Sequence, residues 1–208
     1  MLQSMNRVKP GRREMYAALT RSAVLASAQE LFVTNGYDGT SIDQIAGDAQ
    51  TSKGAVYHHF RDKQEIFAEV FRDSQARVID HAVAVLAHSS APTAWERVEA
   101  ATRAFVRGYA EDREAGQLLR QAMNVLGWDR VHAIDEQMSL PLIRATLTDA
   151  IESGEAVALP VEETADILLG LFCTAILVIA ATPEPAAAAA DAERIVVTLL
   201  GGLRIQNG

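Results

Sequence analysis

The residues with the most chemistry in them sit close together. Thr51, Ser52, Lys53, Tyr57, His58 and His59 all fall within nine positions of a 208-residue chain, and no acid falls among them. A helix that opens on hydroxyls presents unpaired N–H groups and a partial positive charge, which suit a phosphate. Lys53 adds a full charge at that end. Gly54 and Ala55 are small enough to let the backbone approach base edges, and an alanine there can touch a thymine methyl. Glycine costs about 1 kcal/mol in a helix relative to alanine, so Gly54 points to close approach rather than to helix stability. Tyr57 suits a half-buried core position as well as a DNA contact, and His59 suits packing or plain surface.

These side chains need an element to aim them. Residues 40–60, TSIDQIAGDAQTSKGAVYHHF, read as two short helices joined by a tight turn, the spacing of a helix-turn-helix. Ile42, Ile45 and Ala46 give the first helix a buried face. Ala49 lets the second helix pack closely, and Val56 and Phe60 extend the core from it.

The surrounding chain reads as helix throughout, because apolar residues recur at spacings of three and four and nothing alternates with period two. Helices are expected at 14–35, 41–49, 52–59, 63–88, 93–113, 115–126, 128–152, 161–181 and 186–205, about nine in an all-α fold. Ser41 with Gln44, Asp62 with Glu65 and Thr93 with Glu96 are capping pairs. Gly36, Gly154 and Gly201 are expected stops, and Pro141 leaves 128–152 either kinked or split.

Charge separates the two ends. Residues 1–63 hold eight Lys and Arg against six Asp and Glu, a net +2, and the total of −8 leaves −10 for residues 64–208. Different partners follow for the two parts. The basic residues Arg7, Lys9, Arg12 and Arg13 form an arm that can track a DNA backbone or minor groove, or simply be a tail. A lone cysteine, Cys173, makes no internal disulfide and fits a reducing cytoplasm. Met1 to Arg13 lacks the apolar run of an export signal. The apolar run Ile167–Ala181 falls short of the roughly 20 residues a membrane span needs. It reads either as an ordinary core helix or as one covered partly by a second subunit, with Ile195, Leu199 and the Gly201–Leu203 corner completing such an interface.

The stretch Thr20 to Phe71 resembles the DNA-binding region of the TetR family of bacterial transcriptional regulators. The likeness covers about a quarter of the chain. It is carried by Arg21, Ala28, Leu31, Phe32, Gly36, Tyr37, Thr40, Ile45, Ala46, Ser52, Lys53, Gly54, Tyr57, Phe60 and Lys63, in family order and spacing. The resemblance implies a cytoplasmic homodimer that represses transcription from a palindromic DNA operator and is released by a small-molecule inducer. It implies Thr40, Tyr57 and Lys63 as phosphate contacts, and Lys53, Ala55 and His58 as the residues that reach bases, with Thr51, Ser52 and Gly54 in the same interface. Gln50 and Thr51 depart from the pattern, which has a glycine and then an apolar residue there. If residue 50 is left-handed, a non-glycine costs roughly 1–2 kcal/mol, and the pitch of the reading helix changes with the turn.

The expected division is residues 1–63 for DNA and 64–208 for ligand binding and dimerisation through the last two helices. Apolar pockets between helices suit small molecules. Trp95, Phe105, Tyr109, Met123, Trp128, His132, Met138 and Phe172 are the candidates to line one, with Trp128 and His132 the most site-like pair. An enzyme is disfavoured by the lack of a Gly-rich phosphate loop and of G-x-S-x-G, and no cofactor is expected. The five histidines show no metal-ligand spacing, so no metal is expected either. The alternative is a helical partner-binding module whose helix-turn-helix has lost its DNA role, an idea that rests on Gln50 and Thr51.

Overall fold

The computed structural model describes residues 11–182 and 184–205. Among them lie ten α-helices and no extended strand: α1 (Arg12–Asn35), α2 (Ile42–Asp48), α3 (Lys53–His59), α4 (Lys63–Ala87), α5 (Ala94–Glu111), α6 (Arg113–Leu126), α7 (Trp128–Asp135), α8 (Ser139–Glu152), α9 (Val161–Ala181) and α10 (Pro185–Leu200). A 3-10 turn, Gly201–Leu203, follows α10. The all-α expectation holds, with one helix more than expected.

That extra helix comes from a break at 136–138 inside the expected 128–152 helix. Pro141 falls in the first turn of α8, where its missing N–H leaves no bond unmade. Of the expected stops, Gly36 and Gly154 have φ of 74° and 74°. Gly201 stays right-handed at φ −54°, and the chain tightens into the 3-10 turn instead. Of the basic arm, Arg12 and Arg13 begin α1, while Arg7 and Lys9 lie outside the described residues.

The chain divides into two compact units between Val70 and Phe71, inside α4 rather than before it at residue 63. The reason is local: Ile66, Phe67 and Val70 on the first turns of α4 are buried in the N-terminal unit's core with Val24, Ala28, Phe32, Ile45, Val56 and Phe60. Phe32, Tyr37 and Phe67 form an aromatic triangle with centroids 5.2 to 5.7 Å apart. Capping sets the directions around it. Gln44 N–H donates to Ser41 Oγ and Ser41 N–H to Gln44 Oε1, the expected reciprocal pair. Glu65 N–H donates to Asp62 Oδ1, but the Glu65 carboxylate accepts from Arg61 N–H, one residue earlier than the simple box.

In the C-terminal unit α9 packs against α5, α6, α8 and α10. Thr93 caps α5 by accepting from Glu96 N–H, and the second half of that expected box is replaced by Glu155, whose carboxylate accepts from Ala94 and Trp95 N–H. Two backbone bonds, Val157 N–H to Leu203 O and Ile205 N–H to Glu155 O, fasten the segment after α10 to the loop after α8. The α9 helix, 21 residues with mean hydropathy 2.2 over its best window, is longer than the apolar run alone and long enough by composition to cross a bilayer. It has a buried side, including Leu168, Leu169, Phe172, Ile176 and Ile179, as a core helix does. Its other side leaves Ile167, Leu177 and Val178 exposed, and α10 adds exposed Ile195 and Leu199.

Candidate nucleic-acid interface and ligand cavity

The turn between α2 and α3 is the part that sets the reading helix. Ala49 N–H donates to Ile45 O, Gln50 N–H to Gly47 O and Thr51 N–H to Ala46 O. The last two bonds are the 5→2 and 6→1 pair of a Schellman motif, whose pivot residue is left-handed. Gln50 holds that position with φ 51° and is the one non-glycine with positive φ among the described residues. The turn keeps a left-handed shape despite lacking glycine, with the side chain carrying strain. Past it, Ser52 Oγ accepts from Ala55 N–H and starts α3.

On α3, Val56 is buried and faces the core, as does Phe60 just beyond. Ser52, Lys53, Gly54, Tyr57 and His58 are exposed, while Thr51, Ala55 and His59 are half-buried. Tyr57 is thus not a core tyrosine, at 50% exposed. Nothing lies within 4 Å of a Cβ built on Gly54 except Ser52 Oγ at 3.9 Å, so no packing inside the protein demands glycine there. Lys53 Nζ donates to Asp43 Oδ2 at 2.8 Å, and that hydrogen bond raises its pKa. The pair is open to water, 51% and 69% exposed, so a phosphate or base can replace the carboxylate. His59 is pushed toward its neutral form, first by burial and then by the charges of His58 and Arg21.

Two expected phosphate contacts have other work. Thr40 is 2% exposed and its hydroxyl bonds Leu31 O and Gly36 O, which locks the loop behind α1. Lys63 Nζ donates to Tyr37 O at 2.7 Å and Thr40 O at 2.8 Å and sits 4.0 Å from the centroid of the Tyr37 ring. Two of its three N–H donors are thereby committed to the loop, where an ammonium over an aromatic face gains further attraction. Both residues brace the loop behind α1. The residues are the same as the resemblance implies, but the sequence shows no backbone carbonyls to claim them.

The C-terminal unit holds an apolar cavity of about 40 Å³ among α4, α5, α8, α9 and α10. Trp95, Phe105 and Phe172 line it as expected. Tyr109 is buried against Phe105 and lines a separate recess with Gly116 and Ile179. Met123, Trp128, His132 and Met138 do not line the cavity. Met123 is 40% and Trp128 59% exposed. Trp128 and His132 do stack, 5.7 Å apart and 16° from parallel, but outside the cavity wall. The wall residues missed by the sequence reading are mainly aliphatics spread over α4, α5, α8, α9 and α10, together with three hydroxyls, Thr102, Ser139 and Thr146.

Two polar clusters border this unit's core. Ser139 Oγ and Gln75 Nε2 both donate to Asp135 Oδ1, and burial raises that carboxyl to about 6. Elsewhere His132, Glu136 and Asp166 offer ligand atoms within 4.8 Å of one another. This corrects the expectation that no histidine joins a carboxylate pair, since Asp166 comes from a different helix, far along the chain. Arg144 already grips both oxygens of Glu136 at 2.9 Å and pairs with Glu162, so a guanidinium supplies the positive charge.

Residues 24–70 match the family model described as bacterial regulatory proteins, tetR family. Residues 95–203 match that described as tetracyclin repressor-like, C-terminal domain. The chain is 24% identical over 153 residues to the transposon Tn10 TetC protein of Escherichia coli, covering 74% of this chain and 76% of that protein. It is 30% identical over 63 residues to the HTH-type transcriptional repressor AcnR of Corynebacterium diphtheriae, 30% of this chain and 33% of AcnR. The crystal structure of a TetR-family transcriptional regulator from Pectobacterium atrosepticum superposes with TM-score 0.74 at 26% identity, over 96% of this chain and all (100%) of that one. That of FadR from Bacillus subtilis with stearoyl-CoA superposes with TM-score 0.71 at 20% identity, over 86% and 96%. With one model matching its head and the other more than half its length, the chain belongs to the TetR family of bacterial transcriptional regulators.

Proposed function

We propose that the chain acts as a homodimeric, sequence-specific repressor: α3 reads the major groove of a palindromic operator, and a small effector in the C-terminal cavity lowers DNA affinity. The observation that carries this reading is the left-handed turn at Gln50 feeding an α3 whose Ser52–Lys53–Gly54 end is open. Thr51, Ser52, Lys53, Gly54, Ala55, Tyr57 and His58 form the DNA face, with Thr40 and Lys63 holding the loop behind it. The same turn weighs against a partner-binding module, because Gln50 leaves its shape in place.

Dimerisation through α9 and α10 is supported by the exposed apolar side chains Ile167, Val178, Ile195 and Leu199, which a second copy of the same face would cover. Two heads must then meet half-sites about 34–36 Å apart. An effector that binds better when the heads are off that spacing lowers DNA affinity by the same free energy. The FadR structure with stearoyl-CoA supports a ligand-taking C-terminal domain in this fold. A protein acting on an operator works in the cytoplasm, and membership of a family of regulators supports a non-enzymatic role.

The test is a gel shift on DNA flanking the protein's own gene at low and moderate salt, with light scattering for the oligomer. A discrete complex that weakens steeply with salt is expected. No retarded fragment at low salt from a folded dimer defeats the reading.

A further inference from the structure

We propose that Asp43 is a positioning residue for base recognition: it holds the Lys53 ammonium at the start of α3 so that the two remaining N–H groups meet the edge of a guanine. This rests on the reading of α3 as the helix that enters the groove. Lys53 is the first residue of α3 and Asp43 the second of α2, so the two come from opposite sides of the Gln50 turn. Lys53 Nζ donates to Asp43 Oδ2 at 2.8 Å. An ammonium has three N–H donors, so Lys53 need not release the carboxylate in order to bind DNA. Guanine presents two neighbouring acceptors in the major groove, O6 and N7, which matches the donors left over. No other base does: adenine and thymine present one acceptor each there, and cytosine none. Gly54 and Ala55 carry no side-chain donor, and a hydroxyl such as that of Ser52 brings only one, so at this end of α3 a pair of acceptors is matched by Lys53.

Neither folding nor general DNA affinity accounts for this carboxylate. Its side chain is 69% exposed and that of Lys53 51%, and ion pairs so open to water add little to stability. The start of α2 is already closed by the reciprocal bonds of Ser41 and Gln44. Residues 1–63 net only +2, and an acid beside the groove-facing lysine repels phosphates, so by itself it weakens binding to every sequence. What the carboxylate supplies is order. A lysine stem has much rotamer freedom to lose when its end is fixed, and the ion pair imposes part of that loss before DNA arrives.

The experiment incubates the full chain with a library of randomised duplexes long enough for two half-sites and sequences the bound and unbound fractions. Wild type, Asp43→Ala, Lys53→Ala and the double variant are compared. Wild type is expected to prefer guanine at one position of each half-site by about fivefold or more, and Lys53→Ala should erase that preference alone. Asp43→Ala should lower the guanine preference at least about threefold, because the lysine is no longer held ready. The same variant should bind an unselected duplex about twofold or more tightly by fluorescence anisotropy, since a negative charge has left the interface. Opposed changes of this kind do not come from a damaged head, which lowers both. In the Lys53→Ala background, Asp43→Ala should alter no base preference, because the carboxylate acts through the lysine. The positioning role is overturned, and the groove reading spared, if Asp43→Ala leaves the guanine preference at the wild-type level or if Lys53→Ala weakens all sequences alike. It is overturned too if Asp43→Ala removes a base preference in the Lys53→Ala background, since the carboxylate then reads a base itself. If wild type enriches no sequence, the groove reading fails and the positioning role with it.

Discussion

Replacing Gln50 by glycine should stabilise the protein without changing what α3 reads. Gln50 sits at φ 51° in the turn after α2, where a side chain costs roughly 1–2 kcal/mol. Glycine relieves that strain but has more unfolded-state freedom to lose, worth about 0.4–1 kcal/mol. The difference leaves a net gain of about 0.5–1 kcal/mol. For a chain this long, 1 kcal/mol moves Tm by about 2–4 °C, so Gln50→Gly should melt about 1–4 °C higher. Gln50→Ala keeps a Cβ and should gain nothing. Differential scanning calorimetry of the three proteins at matched concentration makes the comparison, with urea unfolding as a check. Because the turn's bonds from Gln50 to Gly47 and from Thr51 to Ala46 are already made, operator affinity should stay within about twofold. The reasoning is refuted if Gln50→Gly is no more stable than Gln50→Ala. A large affinity change at equal stability would mean instead that glycine reshapes the turn.

Other expectations follow from the same structure. Asp135 has its carboxyl raised from 3.8 to about 6 by burial, so the folded state holds the proton more tightly. Its contribution is present below pH 4 and is lost as pH rises through about 6, a decline of about 3 kcal/mol, and Asp135→Asn should flatten that limb of a urea-melt pH series. Leu199→Glu puts a charge on the exposed α10 face and should give a monomer by light scattering with DNA affinity reduced at least about tenfold; an unchanged dimer places the interface elsewhere. Lys53→Ala should weaken a matched operator by about fivefold to a hundredfold and relax specificity at one base; an equal loss on all sequences marks a phosphate contact only. Lys63→Met should destabilise the head by about 2–3 kcal/mol through its two lost carbonyl bonds, while the salt dependence of DNA binding stays the same.

What the sequence discloses and what it hides divide along a physical line. Local chemistry shows: the Ser41–Gln44 box, the start of α3 at Ser52, the left-handed demand at Gln50 and the buried Ile45, Ala46, Val56 and Phe60 all depend on neighbours within a few positions. Long-range pairing does not. Lys63 is claimed by carbonyls at 37 and 40, and Glu155 caps a helix that starts at Ala94, and neither meeting has a mark in spacing. The cavity illustrates the same limit. Side-chain size marked Trp95, Phe105 and Phe172, which line the cavity, but also Trp128 and Met123, which do not, because size does not say which side of a helix faces inward. The break at 136–138 was ambiguous since Pro141 is compatible with a kink in one helix and with the first turn of another.

If the cavity takes the proposed effector, the attachment of the segment after α10 to the loop after α8 bears on how that effector gets in. Leu200 and Leu203 line the cavity, and the turn between them is tied to the loop after α8 by the backbone bonds at Val157 and Ile205. Apart from Leu203, every lining residue belongs to a helix with its own hydrogen-bond ladder. Unlatching this hatch disturbs the least structure, so admission and escape should follow the rate at which the last turn lifts. A bulky fusion appended there would then alter how fast the regulator answers its signal before it alters how tightly DNA is held.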